Sequence, residues 1–156
     1  MHLNSKITNE EILKEFISKH FPALVLIGAE VVSASQNEVV IRAPMDKNHN
    51  DKGTAFGASQ YMLCIAASWG LAYINAKAAG LKQPNILVAE GNIKYLKPIH
   101  ADNIITRATA EPRNMDAFRN AIQNSQKATL IQETIVEGKD MIKSSEFQAR
   151  YVLFPE

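Results

Sequence analysis

A single stretch, Asn48-His49-Asn50-Asp51-Lys52-Gly53-Thr54-Ala55-Phe56-Gly57-Ala58-Ser59, gathers the residues of this 156-residue chain best suited to chemistry. Its polar loop opens a run from Gly53 to Ala76 that holds no charged residue, with Lys52 and Lys77 on either side. The run reads as a helix entered through the loop. The first N–H groups of a helix lack internal acceptors and carry partial positive charge. Aimed at a carbonyl, they stabilise the oxyanion that forms when that carbonyl is attacked. Gly57 lets a carbonyl approach the backbone closely. Gly53 and Gly57 also fit an ordinary tight turn from loop to helix, and the residues alone leave both readings open.

Other reactive groups are less organised. Gly57-Ala58-Ser59-Gln60-Tyr61 has the first glycine of a nucleophile elbow, but Tyr61 stands at the second and no strand precedes it, so a serine triad is not expected. His2, His20, His49 and His100 show no metal-ligand spacing, and Cys64 stands alone, so neither a metal nor a cofactor is expected. His49 in the loop reads as a solvated histidine more readily than as a base. Arg107, Arg113, Lys94, Lys97 and Lys127 are scattered, as surface cations usually are.

Composition bounds the rest. A net charge of +1 points to no nucleic-acid partner. The single cysteine and a polar N-terminal stretch without an apolar core fit a cytoplasmic protein. Thr54, Ser59, Gln60, Ser68 and Asn75, with many alanines, dilute the charge-free run too far for a membrane span. Such a helix, apolar on every side, must be buried on nearly every side.

The flanking pattern supplies the wrapping. Thr8-Asn9-Glu10-Glu11 is a capping box ahead of a short amphipathic helix carrying Ile12, Leu13, Phe16 and Ile17 and stopped by Pro22. Strands are expected at 27–34 and 38–43 around a Ser35-Gln36-Asn37 turn, at 86–96, at 104–110, at 128–136 and at 141–153. In the third, Leu87, Ala89, Gly91, Ile93 and Tyr95 are expected on one face, and Glu90, Asn92 and Lys94 on the other. Asn114 is expected to cap a short helix with Ala117, Phe118, Ala121 and Ile122. Strands and helices do not alternate regularly, so the expected fold is α+β: one domain over 1–156, a curved antiparallel sheet around a long central helix.

Ala43-Pro44, Asn48 and Asn50, Gly53 through Ser59, Trp69-Gly70 and Tyr95-Leu96-Lys97-Pro98 together resemble the hotdog-fold thioesterases, most closely the YiiD C-terminal type, over residues 20 to 153. The resemblance implies hydrolysis of an acyl thioester on CoA or acyl carrier protein, in a homodimer or higher oligomer with sites between subunits. In the phenylacetate-type enzymes a loop asparagine precedes His-Gly-Gly and, nine residues after the histidine, an acid on the helix. Asn50 matches the asparagine and Gly57 the first glycine. Phe56 stands at the histidine position, Ala58 at the second glycine and Ile65 at the acid, and no Asp or Glu occurs from Gly53 to Gly80.

The expected assignments follow. Gly57 polarises the carbonyl, Asn50 orients water or substrate, and Asp51 or Glu90 acts as base. Thr54, Phe56, Ser59, Met62 and Tyr95 join Gly57 in binding substrate, with the acyl group near Phe56, Met62 and Tyr95. Two rivals stand beside this scheme: a dehydratase, which needs a histidine–acid pair, and a module that binds an acyl ligand without chemistry. The long strand at 86–96 is expected to pair with its twin across a dimer.

Overall fold

In the computed structural model, which describes residues 6–155, the charge-free run forms one α-helix, α3 (Gly57–Ala78). His2 lies outside the described residues. Leu63, Cys64, Ala67, Leu71 and Ile74 of α3 are buried in a common core. Small residues let neighbours approach: a Cβ added at Gly70 would stand 2.9 Å from Cδ2 of Leu13. That leucine belongs to α1 (Asn9–His20), which the Thr8–Glu11 capping box starts as expected. Pro22 does more than end α1, because it occupies the first turn of a second short helix, α2 (Pro22–Leu26).

Six strands wrap the helix: β1 (Glu30–Ala34), β2 (Glu38–Pro44), β3 (Ile86–Tyr95), β4 (Asn103–Thr109), β5 (Ala128–Glu137) and β6 (Lys143–Leu153). They form one curved antiparallel sheet in the order β1-β2-β4-β5-β6-β3, so β1 and β3 are its edges. This is the α+β architecture that the sequence pattern implies. The remaining helix, α4 (Pro112–Gln123), buries Met115, Phe118 and Ile122.

Three local expectations are corrected. The first strand begins at Glu30, because Ile27 closes α2 and Gly28 turns the chain at φ +74°. Glu111 caps α4 by accepting from the Asn114 N–H, so Asn114 lies inside the helix. The face of β3 changes at a bulge: Val88 pairs with Tyr151 and Glu90 with Arg150, leaving Ala89 as the extra residue. Tyr151 and Phe147 are core residues, so Val88, Gly91, Ile93 and Tyr95 share the face toward α3, whereas Leu87 lies opposite.

Buried polar groups pin α3 to its wrapping. The Trp69 indole donates to the Ile86 carbonyl at 3.2 Å, and the Thr106 hydroxyl is 3.3 Å from the Leu63 carbonyl. Fully buried Asn75 donates to the carbonyls of Gln36 and Leu71 and accepts from the Arg119 guanidinium at 2.8 Å. It therefore ties α3 to the β1–β2 turn and to α4. Truncating it removes the bonds from α3 to the Gln36 carbonyl and to the Arg119 guanidinium, so Asn75→Ala should destabilise the fold by about 1–2 kcal/mol. Urea denaturation measures this, and a loss below about 0.5 kcal/mol would show that these anchors are dispensable.

Candidate active site

Asn50 builds the loop that aims α3. Its Oδ1 accepts from the N–H groups of Lys52 (2.9 Å) and Thr54 (3.1 Å), and its Nδ2 donates to the Thr54 hydroxyl at 2.8 Å. Gly53 sits at φ +74°, a left-handed turn that glycine adopts without strain. The loop then closes on itself: the Phe56 N–H donates to the Asn48 carbonyl at 2.7 Å, and the Ala55 N–H to Ile99 at 3.2 Å. Asn48 is buried and holds the carbonyls of Ile27 and Pro44 through Nδ2, both at 2.8 Å.

The chain enters α3 at Phe56 with no side chain capping the helix. The N–H groups of Gly57, Ala58 and Ser59 therefore have no intrahelical acceptor and no side-chain cap. Gly57 opens onto a polar cavity of about 370 Å³, lined also by Asn50, Gln60, Tyr95 and Lys97. The Tyr95 hydroxyl donates to the Gly57 carbonyl at 2.8 Å. A Cβ at Gly57 would lie 3.0 Å from that hydroxyl, so the glycine is needed for the tyrosine to cross here. Partial desolvation raises the Tyr95 phenol above its ordinary pKa.

Gln60 is a cavity residue that sequence reasoning missed. It is buried, its Nε2 donates to the Ala55 carbonyl at 3.2 Å, and its Oε1 accepts from the Ser145 hydroxyl at 2.7 Å. One N–H of the amide remains for a ligand or water. The available signal was a polar side chain in the first turn of an otherwise apolar helix, four residues after Phe56.

The expected site residues separate into groups. Asn50, Gly57 and Tyr95 meet in the polar cavity. Thr54 supports Asn50 from behind, and Ser59 is buried without lining the cavity. Asp51 stands on the same loop, with its side chain 80% exposed and paired to Lys52. Glu90 is 3.6 Å from Arg150 and lines a separate polar depression with Asn92, Lys94 and Glu133, on the face of the sheet turned from α3. Phe56 is half-exposed and lines neither concavity. Met62 lies further along α3, in an apolar groove of about 540 Å³ between that helix, α1, α2 and the start of β3. Among the described residues no cluster of His, Cys, Asp or Glu could hold a metal ion. No helix there is long and apolar enough to cross a membrane.

A curved six-stranded sheet on one long helix, with an open helix N-terminus at a loop asparagine, defines the hotdog class of thioesterase folds. The chain matches the family described as "Putative thioesterase (yiiD_Cterm)" over residues 10–155, and it belongs to that family. It is similar to a crystal structure of a protein of unknown function from Chlorobaculum tepidum TLS, at 27% identity and TM-score 0.86, covering 98% of this chain and 100% of that one. It is also similar to a "putative thioesterase" from Shewanella oneidensis, at 20% identity and TM-score 0.83, covering 94% and 98%.

The hydrogen bonds of Asn50 make a direct prediction. Asn50→Asp keeps both acceptors for the Lys52 and Thr54 N–H groups, whereas Asn50→Ala removes them. The alanine variant should lose about 1–2 kcal/mol in denaturant, and the aspartate variant less than half of that. Equal losses would show that the loop does not depend on Oδ1.

Proposed function

We propose that this protein hydrolyses an acyl thioester carried on CoA or on acyl carrier protein. The observation that carries this reading is the set of free N–H groups at Gly57 and Ala58, opening beside Asn50, Gln60 and Tyr95. The thioester oxygen would accept from the Gly57 N–H. A water accepting from the spare Asn50 Nδ2–H would keep its other lone pair free to attack the carbonyl carbon, and the resulting oxyanion would rest on the helix N-terminus. Collapse of that intermediate breaks the carbon–sulfur bond, and the thiolate leaves as the carboxylic acid forms.

The water's proton needs an acceptor. Asp51 is our first assignment, since it adjoins Asn50 and its exposed pair with Lys52 is weak enough to be exchanged. Glu90 is the second, on the edge strand that a second subunit would meet. A contrasting reading, an acyl-binding module without turnover, has one observation in its favour: among the described residues no carboxylate lines the polar cavity.

We also propose a homodimer. β3 pairs with β6 on one side only, and Leu87, Val88, Tyr95 and Leu96 are each about half exposed along it. Pairing with a twin strand would satisfy the free edge and cover these side chains. A cytoplasmic location is part of the same proposal, since it rests on CoA or carrier-protein thioesters as substrates.

Free-thiol release from a panel of acyl-CoA and acyl carrier protein substrates tests the reaction. Turnover is expected, and replacing the base by Asp51→Asn or Glu90→Gln should lower kcat at least about a hundredfold with binding retained. Tight binding with no release across the panel would favour the module. Turnover that survives both substitutions would overturn the assignment of the base alone. Light scattering at micromolar concentration should give twice the mass of the chain, and a monomer would contradict the paired edge.

A further inference from the structure

The scheme above uses the polar cavity and leaves the apolar groove without a role. Phe21, Met62, Ile65, Trp69 and Val88 are among its walls with His20 at α1, and among the described residues no Asp, Glu, Lys or Arg lines it. Ala58, Met62, Ile65 and Trp69 recur at three- and four-residue spacing, so they form one stripe along α3. The stripe starts at Ala58, whose N–H is one of the three without a helical acceptor. It ends at an aromatic wall: Trp69 stacks on Phe16 and Tyr73, with ring centres 5.2 and 4.9 Å apart, and meets Phe21 edge-on. The indole's hydrogen bond to the Ile86 carbonyl fixes that wall in place. The bulge at Ala89 turns Val88 toward the groove from the opposite side.

We propose that the groove holds the hydrocarbon tail of an unbranched, medium-length acyl group, with Trp69 as the stop that limits its length. The proposal rests on the thioester reading of the neighbouring cavity. From Ala58 to Trp69 the helix advances about 16 Å, the reach of an extended saturated chain of about twelve to fourteen carbons. The linings match the two parts of such a ligand: the polar groups of the cavity suit the thioester, and the apolar side chains of the groove suit the tail. Each methylene that enters the groove should favour binding by about fourfold.

The test is a series of straight-chain CoA thioesters from acetyl to stearoyl, read as kcat/KM by CoA release. Activity should rise from butyryl, peak near dodecanoyl and fall by stearoyl. Ile65→Trp and, separately, Val88→Trp should lower the dodecanoyl-to-butyryl ratio at least about tenfold, a quantity read within one variant and independent of how much of it folds. Trp69→Ala should move the peak to longer chains. A peak at acetyl or butyryl, or ratios unchanged in all three variants, would overturn the proposal. Altered oligomeric state with unchanged ratios would also overturn it and assign the groove to a second copy of the chain. If no substrate is cleaved, the thioesterase reading fails, and calorimetry with non-hydrolysable dodecyl-CoA and butyl-CoA thioethers decides on the groove. Tighter dodecyl binding that Ile65→Trp abolishes upholds it, and equal binding of the two overturns it.

Discussion

The structure depends on one constraint: a long helix with no charge before Lys77 in its last turn has to be enclosed, yet its first turn must leave N–H groups without helical partners. The sheet meets the first demand by curling around α3, with alanines and Gly70 letting Leu13 and the strands come close. The second demand is not met within α3, because Phe56 offers no capping side chain. Enclosure on the flanks and an open end at the N-terminus together make a donor site backed by low-dielectric protein. In such a place a hydrogen bond to a developing oxyanion is worth more than it is in water.

Everything near that end is fixed by local bonds. Asn50 folds the entry loop, Tyr95 crosses Gly57 from the edge strand, and Gln60 is held between Ala55 and Ser145. These groups come from three separate parts of the chain, so the position of the donors is set by the fold as a whole. Preorganised donors of this kind need no rearrangement as charge develops. The edge strand takes part twice, carrying Tyr95 to the polar cavity and Val88 to the apolar groove. Tyr61 packs edge-on against Phe147 with its hydroxyl at Gly91, where any Cβ would collide with it.

The parts of this arrangement that follow from periodicity were legible in the sequence. The charge-free run dictated an enclosed helix, and the capping box gave the start of α1. The bulge at Ala89 was not legible, since Leu87-Val88 are both apolar and alternation cannot tell which of them turns inward. The Glu111 cap was hidden because Asn114 is the better capping type and only geometry reveals which residue precedes the helix. At the candidate site, Gly57 stood out as a glycine at the start of the helix, and Asn50 through its match to the loop asparagine of the family that the chain resembles. Gln60 was not, because its partners Ala55 and Ser145 are brought together by the sheet. Asp51 and Glu90 were chosen by residue type, and their exposure follows from tertiary placement that no spacing records.

The central claim is that the open N-terminus of α3 receives the carbonyl oxygen. Amide NMR with a ketone analogue of an acyl-CoA, in which a methylene replaces the sulfur, tests it most directly. The account predicts a downfield proton shift at Gly57 larger than at other backbone amides, with Ala58 also affected, as a new hydrogen bond forms there. Saturating binding that leaves Gly57 and Ala58 unmoved while other amides shift would contradict it.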